Sequence, residues 1–173
     1  MSMIAVLGLA LANVATLPQT PGGAPPPEMK QIEFLLGDWS GKETYHMMGQ
    51  ATETTATINF RKTLVGRYFQ MTHKAKMPGF GDTEGLMLVT YDSDKKKFMQ
   101  YWFDSTAAGS MESEGSLNGN TLLFESKPTM MMGESVTFRS TFVKKSDKNV
   151  TFLLEMKQGE QWATFIEGSY NKK

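Results

Sequence analysis

From Gly37 onward, apolar and polar residues alternate with a period of two, and turn residues interrupt the alternation every ten residues or so. Asp38–Met47 reads as a first strand. Thr52–Leu64 is a β-branched second one that sets Ala56, Ile58 and Phe60 on one face. Arg67–Met77, Glu84–Asp92, Lys97–Asp104, Gly109–Leu117, Thr121–Ser126, Glu134–Lys144, Val150–Lys157 and Gln161–Tyr170 complete a set of ten. Val65-Gly66, Met77-Pro78-Gly79, Asp92-Ser93-Asp94, Asn118-Gly119, Ser146-Asp147 and Gln158-Gly159 supply tight turns, with Asn118-Gly119 the strongest hairpin signal. Connections this short join antiparallel neighbours, because parallel crossovers need a dozen residues or more. Ten such strands in a row leave two exposed edges unless the sheet closes. The expected fold is therefore all-β, an up-and-down antiparallel barrel of about ten strands, with a two-sheet sandwich as the alternative. Phe98 and Trp102 point to one face of their strand, and Met99, Tyr101 and Phe103 to the other. One face should line the barrel, and the other should pack beneath an N-terminal helix.

That helix is Glu28–Leu36, where Met29, Ile32, Phe34, Leu35 and Leu36 form an apolar side, proline precedes, and Gly37 stops the run. It is short enough to be a cap on something larger. Residues 1–27 carry no charged side chain. Met3–Leu11 is an apolar run followed by Ala10-Leu11-Ala12, a small-x-small cleavage pattern, so residues 1–15 read as a signal peptide or leader. The run falls short of the ~20 apolar residues of a membrane span. Residues 16–27 hold five of the seven prolines within Pro18–Pro27 and read as a linker to a single domain over 28–173. The expected location is periplasmic or secreted, with the cytoplasm as the alternative if the leader is not a functional signal.

Composition mainly removes possibilities. Eighteen basic and 18 acidic side chains cancel, which argues against nucleic-acid binding and against a basic membrane-surface module. The absence of cysteine excludes disulfides, thiolate metal sites and cysteine catalysis. Two histidines leave little for a histidine metal site, and no Gly-rich phosphate loop, Gly-x-Ser-x-Gly elbow or metal-type helix is present. The 173-residue chain is long enough to bury a core and, as a barrel of this strand number, to enclose one small ligand.

Gly37-Asp38-Trp39-Ser40-Gly41 resembles the Gly-x-Trp opening of calycin-type barrels. Together with Gly66-Arg67-Tyr68-Phe69-Gln70, Glu84-Gly85-Leu86, Tyr91-Asp92 and Trp102-Phe103-Asp104-Ser105 before Gly109, in that order, it resembles the bacterial family labelled domain of unknown function fifteen seventy-nine. The resemblance runs from Met29 to Lys173 and implies a lipocalin-like barrel, often exported, with no established reaction or ligand. Nitrobindin, a related calycin-like barrel that binds haem through a histidine, is similar in Gly37-x-Trp39-x-Gly41, but Glu43 stands where its motif continues with glycine.

Trp39 is expected to plug the closed end, with one of the three arginines, Arg61, Arg67 or Arg139, stacked across its ring. His73 shares a strand face with Phe69, Met71 and Ala75, while His46 sits near a strand end and reads as surface. Glu112 and Glu114 read as a solvated pair. Glu155 and Glu167 fall in apolar strands and, if inward, need a partner such as Arg139. Fourteen methionines, three of them at Met130-Met131-Met132, suit an apolar pocket mouth; thioethers of this kind, with His46-Met47-Met48, are also Cu(I) ligands. The expected function is binding of a small apolar or amphiphilic molecule without catalysis, with Trp39, Phe69, Met71, His73, Met87, Trp102, Arg139, Glu155 and Glu167 as candidate contacts. The alternatives are a haem-type cofactor protein or enzyme using His73 or the carboxylates, and a solid barrel that serves as an interaction domain or homodimer.

Overall fold

A computed structural model describes residues 23–47, 49–131 and 133–173. The leader, the first part of the linker, Met48 and Met132 lie outside the described residues. Twelve strands follow a 3-10 helix over Pro27–Leu35: β1 Gly37–Met47, β2 Gln50–Thr63, β3 Tyr68–Met77, β4 Gly81–Asp92, β5 Lys97–Asp104 and β6 Met111–Asn118, then β7 Thr121–Ser126, β8 Thr129–Met131, β9 Glu134–Val136, β10 Phe138–Ser146, β11 Asn149–Gln158 and β12 Gln161–Lys172. Ten of them close into an antiparallel barrel, in the order β1-β12-β11-β10-β7-β6-β5-β4-β3-β2. Closure is made by β1, which pairs with β2 on one side and β12 on the other, so Trp39 lies opposite both Ile58 and Lys172.

The strand expected over Glu134–Lys144 is divided. Its first residues form β9, which pairs with β8 as a separate two-stranded ribbon, and only from Phe138 does the chain join the barrel. The break falls at Thr137, whose carbonyl accepts the Lys157 N–H at 2.9 Å.

Phase along the strands sorts the interior. Trp39, Glu43 and Tyr45 on β1, Ile58 and Phe60 on β2, and Phe69, Met71 and His73 on β3 all face inward: Trp39 registers with Ile58, Ile58 with His73 and Phe60 with Met71, and alternation along each strand puts Glu43, Tyr45 and Phe69 on the same face. The core sits at the end where β1 begins. There Trp39, Phe60, Phe69, Phe98, Phe124 and Phe142 pack together, and the helix adds Met29, Ile32 and Leu35. These three residues recur every third position, the spacing that a 3-10 helix stacks on one face. Each contributes on the order of 1.5–3 kcal/mol by leaving water. The Trp39 indole N–H donates to the Leu35 carbonyl at 2.7 Å and ties the plug to the cap.

Two expectations are corrected here. The cation over Trp39 is Lys172, with Nζ 5.2 Å from the ring centroid, and not an arginine, because β12 is the direct neighbour of β1 and places Lys172 beside the tryptophan. Arg61 instead pairs with Asp38, and Arg67 donates to the Gly23 carbonyl at 2.6 Å. The helix closes the end of the barrel and does not cover its wall, so Met99, Tyr101 and Phe103 on the outer face of β5 stay apart from the cluster that the helix joins.

Candidate functional site

Above the packed end the barrel is open. A cavity of 330 Å³ runs from the level of Tyr170 to the opposite rim. The lumen is therefore not filled by side chains, contrary to the solid-barrel alternative. Its wall is mostly apolar, with Ile58, Met71, Met87, Phe152, Leu154 and Ile166 among the lining residues. Two local irregularities shape it. At Gly85 a Cβ would come within 2.1 Å of the Trp102 ring, so glycine lets the indole lie against β4. Between Leu154 and Glu155 the pairing with β12 shifts by one residue, a bulge that leaves Phe165 unpaired; Phe165 and Ile166 both line the cavity. At the rim, Phe80 and Met130 line the opening while 61% and 70% exposed.

Thr83, Glu84, Asp104 and Thr106 make the rim polar, and a buried polar cluster lies in the deep part. Glu43 is only 2% exposed, yet three donors surround it. His73 Nε2 lies 2.7 Å from its Oε1, the Tyr45 hydroxyl donates to Oε2 at 2.8 Å, and the Tyr170 hydroxyl donates to Oε1. Burial alone would raise the Glu43 pKa. The hydrogen bond and charge of His73, with the two tyrosine hydroxyls, outweigh it and hold the carboxyl below its ordinary value. Burial, then the Glu43 charge, push both tyrosines far above the usual phenol range, so they stay protonated donors. The cluster is thus a buried carboxylate neutralised by hydrogen bonds, with the His73 imidazole at its cavity edge, 6.1 Å from the Trp102 ring centroid.

A second polar point lies elsewhere on the wall, where Ser140 on β10 donates to Gln100 Oε1 on β5 at 3.0 Å across two intervening strands. Because this hydroxyl serves Gln100, it does not complete a nucleophile–histidine pair, and among the described residues His73 hydrogen-bonds only Glu43. The same bond bears on haem. An axial histidine must present a lone pair, and Nε2 donates its proton to a carboxylate that needs it, so His73 does not fit ligation through Nε2. His46 faces outward, donating to Glu167 at 3.0 Å, and is remote from the lumen. Among the described residues no group of three His, Asp or Glu side chains is arranged to hold a metal ion.

The matching family model, described as a protein of unknown function (DUF1579), covers residues 24–172. The chain belongs to the DUF1579 family. No curated protein matches it. The crystal structure of Rv2717c from M. tuberculosis is similar in fold, with a TM-score of 0.61 at 12% identity over 86% of this chain and 99% of that one. A DUF3598-family protein of unknown function from Nostoc punctiforme matches 86% of this chain and 100% of its own at 7% identity, with a TM-score of 0.23.

Within this DUF1579 barrel the residues singled out from the sequence separate into three groups. Met71, His73, Met87 and Trp102 line the cavity. Phe69 and Trp39 face inward but lie below it, in the packed end. Arg139, Glu155 and Glu167 face outward. The Arg139 Nε donates to Glu155 Oε2 at 2.9 Å, its guanidinium lies 4.4 Å from the Trp162 ring centroid, and its chain neighbours Phe138 and Ser140 are the ones that point into the lumen. Glu155 thus pairs with Arg139 on the outer surface. Glu112 and Glu114 are half-exposed and paired with Lys127 and Lys95. Glu43, Tyr45 and Tyr170 are functional candidates that did not stand out from the sequence.

Proposed function

We propose that this DUF1579 protein is an exported barrel that binds a small apolar or amphiphilic molecule in its lumen without transforming it. The observation that carries the reading is the pairing of an apolar-walled, one-ended cavity with the buried Glu43–His73–Tyr45–Tyr170 cluster at depth. An alkyl or ring portion would lie against Met71, Met87, Phe152 and Leu154, and a hydrogen-bonding head would meet His73. The wall gains from excluding water along the apolar portion, and the head compensates for the water that His73 gives up. The methionines suit this role, since thioether chains adapt to ligands of uneven shape.

Native mass spectrometry of the full chain purified from an exporting host tests the reading. The expected result is a non-covalent adduct on the leader-free mass, released on denaturation and lost in Leu154→Trp, whose indole fills the lumen. An adduct retained undiminished in Leu154→Trp would place the molecule elsewhere and overturn the proposal.

A further inference from the structure

The net charge of zero conceals a strong asymmetry. Strands of an up-and-down barrel alternate direction, so the turns β2–β3, β4–β5, β6–β7 and β10–β11, with the C-terminus, all fall at the closed end. Twelve of the 18 lysines and arginines lie on the helix, in these turns or C-terminus, or within three residues of a strand's closed-end terminus, against six of the 18 acidic residues. The remainder of the barrel, including the cavity mouth, holds the opposite balance. One end therefore carries a net charge of about +6 and the rest about −6, a separation that steers the molecule in an external field. Lys96, Lys97, Lys145, Lys148 and Lys173 are all exposed on this end, and no ion pair among the described residues engages them.

On the same rim stands an apolar tip. Leu64 and Val65, 64% and 97% exposed, form the β2–β3 turn. The Arg67 N–H returns to the Leu64 carbonyl at 3.1 Å, and Leu64, Val65 and Gly66 have φ of 48°, 57° and 83°. Val65 and Gly66 are thus the central pair of a turn with both φ positive, where asparagine then glycine is the favoured choice. A β-branched residue there is strained. Neither burial nor turn geometry accounts for this side chain. A strained turn that projects two large apolar side chains from the same end of the barrel as five unpaired lysines has the chemistry of an element that enters an anionic interface. Duplex nucleic acid would use the lysines but offers Leu64 and Val65 no apolar phase, and an acidic protein would need a matching apolar pocket set among its carboxylates; an anionic lipid surface supplies the charge and the apolar phase together.

We propose that the closed end docks on an anionic lipid surface, with Leu64 and Val65 inserted at the headgroup boundary and the lysines over the phosphates. The acidic cavity mouth then faces away from the membrane, toward the aqueous phase. This inference is independent of what the lumen holds.

Co-sedimentation of the full chain with vesicles tests it, because the wild-type leader is common to every variant. The expected result is binding to phosphatidylglycerol–phosphatidylcholine vesicles that weakens with salt and is at least tenfold tighter than to phosphatidylcholine alone. Each lysine neutralised, from Lys96→Gln to Lys148→Gln, should lower partitioning by about fivefold. Leu64→Asn with Val65→Asn should lower it at least as much while raising the denaturation midpoint, since asparagine tolerates positive φ; that gain separates lost docking from lost folding. Equal binding to both vesicle types, or full binding by the Leu64→Asn/Val65→Asn protein, would overturn the proposal. So would tighter binding to duplex DNA than to the vesicles.

Discussion

Glu43 is the residue whose replacement reports most on the interior, because three donors depend on it. Glu43→Gln keeps the shape but removes the charge and one acceptor oxygen, leaving a buried hydroxyl or imidazole N–H without its partner. Such a loss costs on the order of 1–3 kcal/mol, readable as a lower urea midpoint at neutral pH. The pH dependence of stability follows from the same cluster. The folded Glu43 carboxyl ionises below its ordinary value of 4.5, so its contribution is complete above that value and is lost as pH falls toward the folded pKa. Tyr45 and Tyr170 act in the opposite sense. Their folded pKa values lie above the ordinary value of 10, so their contribution is intact below pH 10 and is lost as pH rises beyond it. Wild-type midpoints should therefore drop above pH 10 more steeply than those of Tyr45→Phe/Tyr170→Phe, with phenolate absorbance from these two residues emerging only on unfolding. Parallel alkaline profiles for the two proteins would contradict this account of the cluster. In the sequence, Glu43 carried a signal. It shares the phase of Trp39 and Tyr45, so any strand that buries those two must bury the carboxylate as well. Its partners carried none, since Tyr170 and His73 reach it only once β12 and β3 have taken their places around the barrel.

The strands follow the alternating pattern within a few residues, because turn chemistry and period two reinforce each other, as at Asn118-Gly119 between β6 and β7. Alternation decides which face a side chain takes and leaves open which strand becomes its neighbour. Lys172 over Trp39 and Ser140 bonded to Gln100 are consequences of closure and register. Pairing of β1 with β12 is the step that turns a sheet into a barrel, and it has a vulnerable point at Gly41. A Cβ there would stand 1.9 Å from the Ser169 carbonyl oxygen, a backbone atom that cannot move without breaking the ladder. Gly41→Ala should destabilise by about 3 kcal/mol or more and lift hydrogen-exchange protection selectively from β1 and β12. Gly85→Ala meets the movable Trp102 ring instead, so its effect should be smaller and visible as a shift of tryptophan fluorescence. Equal stability losses with uniform exchange would argue that closure is not specially dependent on Gly41.

As one body the barrel is divided along its axis: packed, helix-capped and basic at one end, hollow, methionine-rimmed and acidic at the other. Net charge averages this away, although the up-and-down order of turns assigns each to an end and so contains the asymmetry. Cavity size is the part least legible in the chain, because it depends on how far Trp102, Phe165 and Phe80 lean into the lumen. Among the described residues no helix is long and apolar enough to cross a membrane. Titration of wild type, Leu154→Trp and His73→Ala with an environment-sensitive amphiphilic fluorophore reads occupancy of the lumen itself. Saturable one-to-one binding is expected, abolished by Leu154→Trp and weakened by about tenfold in His73→Ala, with the loss of one buried hydrogen bond to the head. Saturable binding that both variants leave unchanged, or no binding by the wild type to amphiphiles of any head group, would contradict it.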